Sequence, residues 1–224
     1  RAAELLALAR WIGAQTGASV GYLGEGANAV GAQLVRALPG NGGLDASRML
    51  AGGLKAAVLL NVEAEDTGAG LQGLTSADMV VTLSPFKTNL DVSDVLLPIA
   101  PFSETSGSFV NAEGRLQSFH AVVRPLGETR PAWKVLRVLG NLLGLPGFDA
   151  DGTPAVLAAA LPGVAVGACV DAARLNNTTS AAVDLAPAPS SPCTAAIYQL
   201  DGLVRRAPAL QLTADARATA GASA

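Results

Sequence analysis

The sequence is short of the groups that most often carry chemistry. Among its 224 residues there are two cysteines and one histidine, and aromatic residues make up only 4%. Two lone thiols, Cys169 and Cys193, cannot build a four-thiolate iron–sulfur or zinc site, and His120 adds one ligand at most. With a single histidine, no Ser-His-Asp or Cys-His-Asp set can be assembled convincingly. A disulfide is disfavoured because the chain has no secretory features and no signal-peptide pattern. Lysine occurs only at Lys55, Lys87 and Lys134, and arginine supplies the other basic side chains. That bias points to a GC-rich, bacterial coding sequence. A net charge of -3 and a pI near 5.1 leave no basic footprint for nucleic acid or anionic lipid.

A long uninterrupted apolar run is missing too. Residues 152–170 carry no charge over about the length of a membrane span. Pro154 and Pro162 break the run, however, and alanine, nearly neutral on insertion scales, gives it much of its bulk. A short Ala-rich helix followed by a buried strand is expected there, with no direct membrane insertion. The chain opens without methionine on residues of helical character, so it is expected to be the carboxyl-terminal piece of a longer protein.

What the sequence does contain is a core of Ala, Val and Leu in an alternating pattern. Apolar spacing predicts a helix over 3–15, a short strand at 18–23, a helix over 28–38 and a short helix near 46–52. The runs 56–62, 79–83 and 95–97 are almost continuously apolar, as expected of strands buried on both faces. This order predicts an α/β fold with a doubly wound, mainly parallel sheet. A hairpin over 108–123 follows, turning at Glu113-Gly114. Next comes a helix from Pro131 to about Leu143, stopped by Gly144. Its expected buried side is Val135, Leu136, Leu139, Leu142 and Leu143, and its polar side Lys134, Arg137 and Asn141. The expected domains are 1–148 and a carboxyl-terminal extension over 149–224, with a linker near 176–192 and a strand and turn within 195–212.

Four places could hold chemistry. Gly24-Glu25-Gly26-Ala27-Asn28-Ala29 fits a dinucleotide fingerprint between a strand and a helix. Glu25 would meet the pyrophosphate, and the next strand-end carboxylate, Glu63, lies too far along, so a tight turn is the better reading. Glu63, Glu65 and Asp66 cluster past a strand's carboxyl end, where α/β ligand sites lie; without a visible partner cation, they read as a solvated loop. His120 reads as a donor to a neighbouring carbonyl rather than a catalytic group. The polar stretch 104–117 could line a ligand cleft at the end of the sheet; in the favoured structural reading Gly107 and Gly114 supply turn dihedrals, Asn111 an Asx-type cap, and Arg115 a fork for Glu104 or Glu113.

Several pieces of this sequence occur in a telling order. They are Ala77-Asp78-Met79-Val80-Val81, Ser93-Asp94-Val95-Leu96-Leu97-Pro98, and the motif residues Glu104, Gly107, Asn111, Glu113, Gly114, Arg115 and Gln117. Arg130-Pro131-Ala132-Trp133-Lys134-Val135-Leu136 completes the series. Together they resemble the molybdopterin-oxidoreductase superfamily, which includes formate dehydrogenases and nitrate reductases. Leu23 to Ala32 and the tail Asp201-Gly202-Leu203-Val204-Arg205-Arg206-Ala207-Pro208-Ala209-Leu210-Gln211-Leu212-Thr213 resemble one branch in particular. That branch is the large peripheral-arm subunit of NADH-quinone oxidoreductase, respiratory complex I.

The resemblance implies a scaffold without catalytic, cofactor-binding or metal-binding residues of its own. It implies 4Fe-4S and 2Fe-2S clusters elsewhere in the full-length subunit, which passes electrons from NADH to quinone. Implied partners are other hydrophilic-arm subunits, on the cytoplasmic side of the bacterial inner membrane; Arg205 and Arg206 would dock the tail or be merely solvated. Two rival readings stay open: a genuine molybdopterin-dependent oxidoreductase of the formate dehydrogenase kind, and an NAD-binding Rossmann-like domain.

Overall fold

The computed structural model describes residues 2–21, 26–40, 42–67, 70–171, 174, 198–199 and 201–222. The chain divides into two compact units. The first holds residues 1–38, 107–119 and 151–191, and the second holds 39–106, 120–150 and 192–224. The fold is α/β.

The second unit is built on a parallel sheet of β1 (Ala56–Leu60), β2 (Met79–Ser84) and β3 (Val95–Pro98), in spatial order β1-β2-β3. The register pairs Val58 with Val81 and Val81 with Val95. Leu59 and Val80 point to one face and join Leu71, Leu74 and Val92 in a buried cluster. Each such side chain contributes about 1.5–3 kcal/mol on leaving water. Against this cluster packs Leu50 of the short helix α3 (Ala46–Leu50). Asp45 caps α3 by accepting from the Arg48 amide at 2.8 Å. That hydrogen bond, with the nearby Arg48 charge, holds the Asp45 carboxyl below the ordinary aspartate range.

The opposite sheet face is less covered than the apolar runs predict: Val58 is 51% and Met79 44% exposed. In β2, flanked on both sides, the expected burial is met from Val80 onward, with Val81 half-buried and Leu83 fully enclosed. Two polar contacts set the sheet's start and spacing. Asp94 accepts from the Val80 amide at 2.7 Å, supplying an acceptor where the β2–β3 ladder has not yet begun. The Thr82 and Ser93 hydroxyls share a hydrogen bond of 2.6 Å.

Helix α4 (Ala132–Leu142) starts after Pro131, as the sequence predicts, and Gly144 follows it at φ 67°. Its exposure follows the prediction in part: Val135, Leu136 and Leu139 are half-buried, and Lys134 and Asn141 are exposed. The ring of Phe148 packs against Gly140, while Arg137 and Asn141 donate to the Phe148 carbonyl at 3.3 and 3.1 Å. The returning chain thus covers Gly140, while Leu142 and Leu143, expected on the buried side, stand 80% and 65% exposed.

The first unit contains α1 (Ala2–Thr16), α2 (Ala29–Leu34), an antiparallel pair of β4 (Gly107–Val110) and β5 (Leu116–Phe119), and α5 (Thr153–Ala160). Val110, Leu116, Leu161 and Val170 form its buried cluster, with Val30, Leu34 and Leu157 packed against it. The strand expected at 18–23 does not form over 18–21, and 22–23 lie outside the described residues. Val20 instead folds back over Gly13 of α1, where a Cβ would sit 2.6 Å from its Cγ2. Helix α2 is shorter than predicted and is followed by Arg36 at φ 58°. Helix α5 is the short Ala-rich helix expected, with Pro154 in its first turn. The strand predicted after it is reduced to a single bridge, Cys169 with Arg115. Among the described residues no helix is long and apolar enough to cross a membrane.

The tail departs most from expectation. In place of a strand and turn it forms α6 (Gly202–Arg205), α7 (Pro208–Gln211) and α8 (Ala214–Ala222), with 195–197 and 200 outside the described residues. Local capping outweighs the apolar pattern. Asp201 accepts from the amides of Leu203 and Val204 at 2.8 and 3.2 Å, Pro208 opens α7, and the Thr213 hydroxyl accepts from the Ala216 amide at 3.3 Å. The linker predicted near 176–192 lies outside the described residues.

Close packing of α3 predicts the effect of one substitution. A Cβ added at Gly73 would overlap the Leu50 carbonyl, so Gly73→Ala must push α3 from the sheet. The expected loss is about 1–3 kcal/mol, read as a lowered midpoint in urea denaturation at unchanged slope. A second outcome concerns acid. The Asp45 carboxyl is lowered in the folded chain, so its contribution is present above the ordinary aspartate pKa and is lost as pH falls through the lowered one. Amide exchange at Arg48 should therefore quicken across that acid range.

Candidate functional site

Parallel strands deliver their following loops to one end of the sheet, and three such loops meet here. After β1, Asn61 turns the chain at φ 51°, a left-handed conformation asparagine tolerates, and donates its amide to the Leu83 carbonyl at 3.0 Å. Asn89, itself at φ 57°, reaches back with its side-chain amide to the Val62 carbonyl at 2.8 Å. This bond ties the loop after β2 to the loop after β1. The first loop then makes a 3-10 turn, Ala64–Asp66, and the Glu63 amide donates to Asp66 Oδ2 at 2.8 Å.

Onto this end the tail brings two guanidinium groups. Arg205 Nη1 lies 2.6 Å from Asp66 Oδ1, and Arg205 Nη2 lies 3.1 Å from Glu63 Oε2. Arg206 Nη1 lies 3.1 Å from Glu63 Oε1, and its guanidinium stacks 4.1 Å above the Phe86 ring. The Glu63 and Arg205 side chains are 7% and 9% exposed, so this is a buried pair. The hydrogen bond to Asp66 pushes the Arg205 pKa above the ordinary arginine value; burial opposes this, and the bond to Glu63 adds to it. Arg205 is consequently cationic at every pH at which the protein folds. Gly202 completes the fit, because a Cβ there would meet Glu63 Oε1 at 3.2 Å and the Phe86 ring at 3.4 Å.

The acidic cluster read from the sequence as a solvated loop is therefore a receptor for the tail, and the Arg205-Arg206 pair is docked. Within the cluster only Glu63 is buried; Glu65 and the ion-paired Asp66 are exposed. Beside the network lies a cleft of about 550 Å³. Its floor includes Phe86, Pro101 and Phe102, and its charged lining is Glu63, Glu65, Asp66 and Asp201 against Arg205. The volume is within the range of small-molecule sites, but the charge is mainly negative.

The motif residues at 104–117 make local contacts. Glu104, in the second unit, accepts from the Leu126 amide at 2.9 Å. In the first unit, Asn111 Oδ1 accepts from the amides of Glu113 and Arg115 at 3.0 and 2.9 Å, an Asx-type cap as expected. Gly114 supplies the turn dihedral at φ 81°. Gly107 does not: it lies in β4 under the Phe119 ring, where a Cβ would sit 2.6 Å from Cζ. Arg115 pairs with neither glutamate; its Nη1 donates to the Gly167 carbonyl at 2.7 Å. Glu113 and Gln117 are exposed, Gln117 paired with Phe109 in the ladder.

The remaining candidates do not converge. His120 is exposed past the end of β5 and makes no carbonyl contact among the described residues. Of the dinucleotide-like run, Gly24 and Glu25 lie outside the described residues. Asn28 bonds β4, accepting from the Val110 amide at 2.9 Å and donating to the Ser108 carbonyl at 3.4 Å. Its side chain acts as an edge-strand partner there. Cys169 is a free, exposed thiol, and Cys193 lies outside the described residues.

Comparison with known proteins agrees with the order of motifs. The sequence profile of the family described as "Molybdopterin oxidoreductase" matches residues 1–142. A protein of Staphylococcus aureus (strain bovine RF122 / ET3-1) named "Putative formate dehydrogenase" is 38% identical over 68 residues, covering 30% of this chain and 7% of that protein. Proteins with the same descriptive name from strains USA300 and COL are 37% identical over the same length and shares. The match thus spans 7% of the length of these curated relatives.

Removing one partner of a buried pair strands the other charge. Arg205→Ala should cost about 3–5 kcal/mol in chemical denaturation, while Arg206→Ala, more exposed and stacked on Phe86, should cost about 1 kcal/mol. Equal, small effects from both would show that the network is a surface feature.

Proposed function

The chain belongs to the molybdopterin oxidoreductase family, and on that premise we propose that it is a structural part of the large peripheral-arm subunit of NADH-quinone oxidoreductase, respiratory complex I. In this reading the parent subunit passes electrons from NADH to quinone through iron–sulfur clusters carried outside these residues. The present α/β portion packs against the cluster-bearing part and other hydrophilic-arm subunits, on the cytoplasmic side of a bacterial inner membrane. The carrying observation is the docked tail. Asp201 to Thr213 holds the residues that resemble the complex I branch, and its Arg205 and Arg206 occupy the sheet end where an α/β enzyme would present a ligand.

Molybdopterin is a phosphate ester, and the residues here do not suit it. Four carboxylates and one guanidinium line the cleft, and the guanidinium is engaged by Glu63 and Asp66. No catalytic step is assigned to these residues.

The second reading is a molybdopterin-dependent oxidoreductase. It draws on the relatives named as formate dehydrogenases and on a cleft of sufficient volume. Purification of the parent protein through a tag on this chain separates the two. The scaffold reading predicts co-purifying hydrophilic-arm subunits, iron, and no stoichiometric molybdenum. Stoichiometric molybdenum with formate-dependent dye reduction would establish the second reading instead.

A further inference from the structure

We infer that this chain fills the ligand-facing end of its parallel sheet with charges of its own, and that the cleft there excludes phosphate-bearing ligands. The inference deepens the scaffold reading and rests on it. Phosphate sites at sheet ends depend on free backbone amides in the turn after a strand and on uncommitted cationic side chains. At this sheet end three amides of the turn and the Arg205 guanidinium are taken up by the chain's own acceptors. The amides of Glu63, Asp66 and Thr67 donate to Asp66 Oδ2, the Glu63 carbonyl and the Ala64 carbonyl. Asp66 therefore places a carboxylate where an incoming anion would seek a donor.

The Arg205 guanidinium is committed through both terminal nitrogens, and Arg206 through one. Arg205 Nη1 donates to Asp66 and to the Gln199 carbonyl, and Nη2 donates to Glu63. Arg206 Nη1 donates to Glu63 and to the Gly202 carbonyl. Arg205 Nε is buried without an acceptor, so its remaining donor is closed off from the cleft's solvent. Size does not exclude a small anion from about 550 Å³; charge does. Glu65 and Asp201 add negative charge to the lining that no neighbouring guanidinium offsets as closely.

The test uses the full parent subunit in its purified complex, with inorganic pyrophosphate as the probe and hydrogen exchange as the readout. In the unmodified protein, millimolar pyrophosphate should leave exchange over 61–67 and 201–206 unchanged. The double variant Glu63→Gln/Asp66→Asn keeps the side-chain shapes but releases both arginines. It should gain saturable protection over these segments, with affinity higher by on the order of tenfold per carboxylate removed. Should the double variant fail to assemble, Glu65→Lys, at an exposed position, should give a smaller gain of the same sign. Saturable protection in the unmodified protein would overturn the inference, as would an assembled variant that gains none. Co-purification with hydrophilic-arm subunits is unaffected by either result, so failure here leaves the scaffold reading standing.

Discussion

An ionised carboxylate taken out of water costs several kcal/mol unless a cation and further donors replace its hydration. Glu63, buried just past β1, is in that position, and Arg205 and Arg206 supply the replacement. The dependence runs both ways. Arg205 is nearly as buried as Glu63, so removing either charge leaves the other without this partner in a buried site. The loop after β1 and the helical tail are consequently stable as a pair, although 142 positions separate the partners along the chain.

That mutual requirement also shapes the chemistry open to the sheet end. A parallel sheet gathers the loops after its strands, and in many α/β proteins the gathered loops hold a ligand. Here the gathered groups are Glu63 and Asp66 from the first loop, Phe86 from the second and Phe102 from the third, and the tail enters among them. The stacking of Arg206 on Phe86 and the absence of a Cβ at Gly202 let the tail approach closely. A chain built this way uses its strand ends to hold its own tail.

The sequence carried the sheet well because continuous apolar runs flanked by turn residues mark parallel strands locally. Pro131 and Gly144 similarly marked the limits of α4, and Asn111 marked its turn. Burial was less legible, since Val58 and Leu142 have the composition of core residues but lie where no described element covers them. Phe148 packs on α4 at Gly140 from beyond the helix. The tail is helical although Leu203, Val204 and Leu210 suggest a strand, because the capping by Asp201 outweighs the apolar pattern. The docking of Arg205 on Glu63 had no local signal at all. A pair of adjacent arginines and a remote acidic loop become informative together only once the chain is folded.

Coupling between these two charges is the most direct measure of how the tail is held. A double-mutant cycle with Glu63→Gln and Arg205→Gln, followed by chemical denaturation, isolates their interaction from the effect of each substitution alone. A tail docked through this pair predicts a coupling of about 2 kcal/mol or more, with the double variant less impaired than the sum of the singles. Additive losses, with no coupling beyond about 0.5 kcal/mol, would contradict a tail held to the sheet end by Glu63 and Arg205.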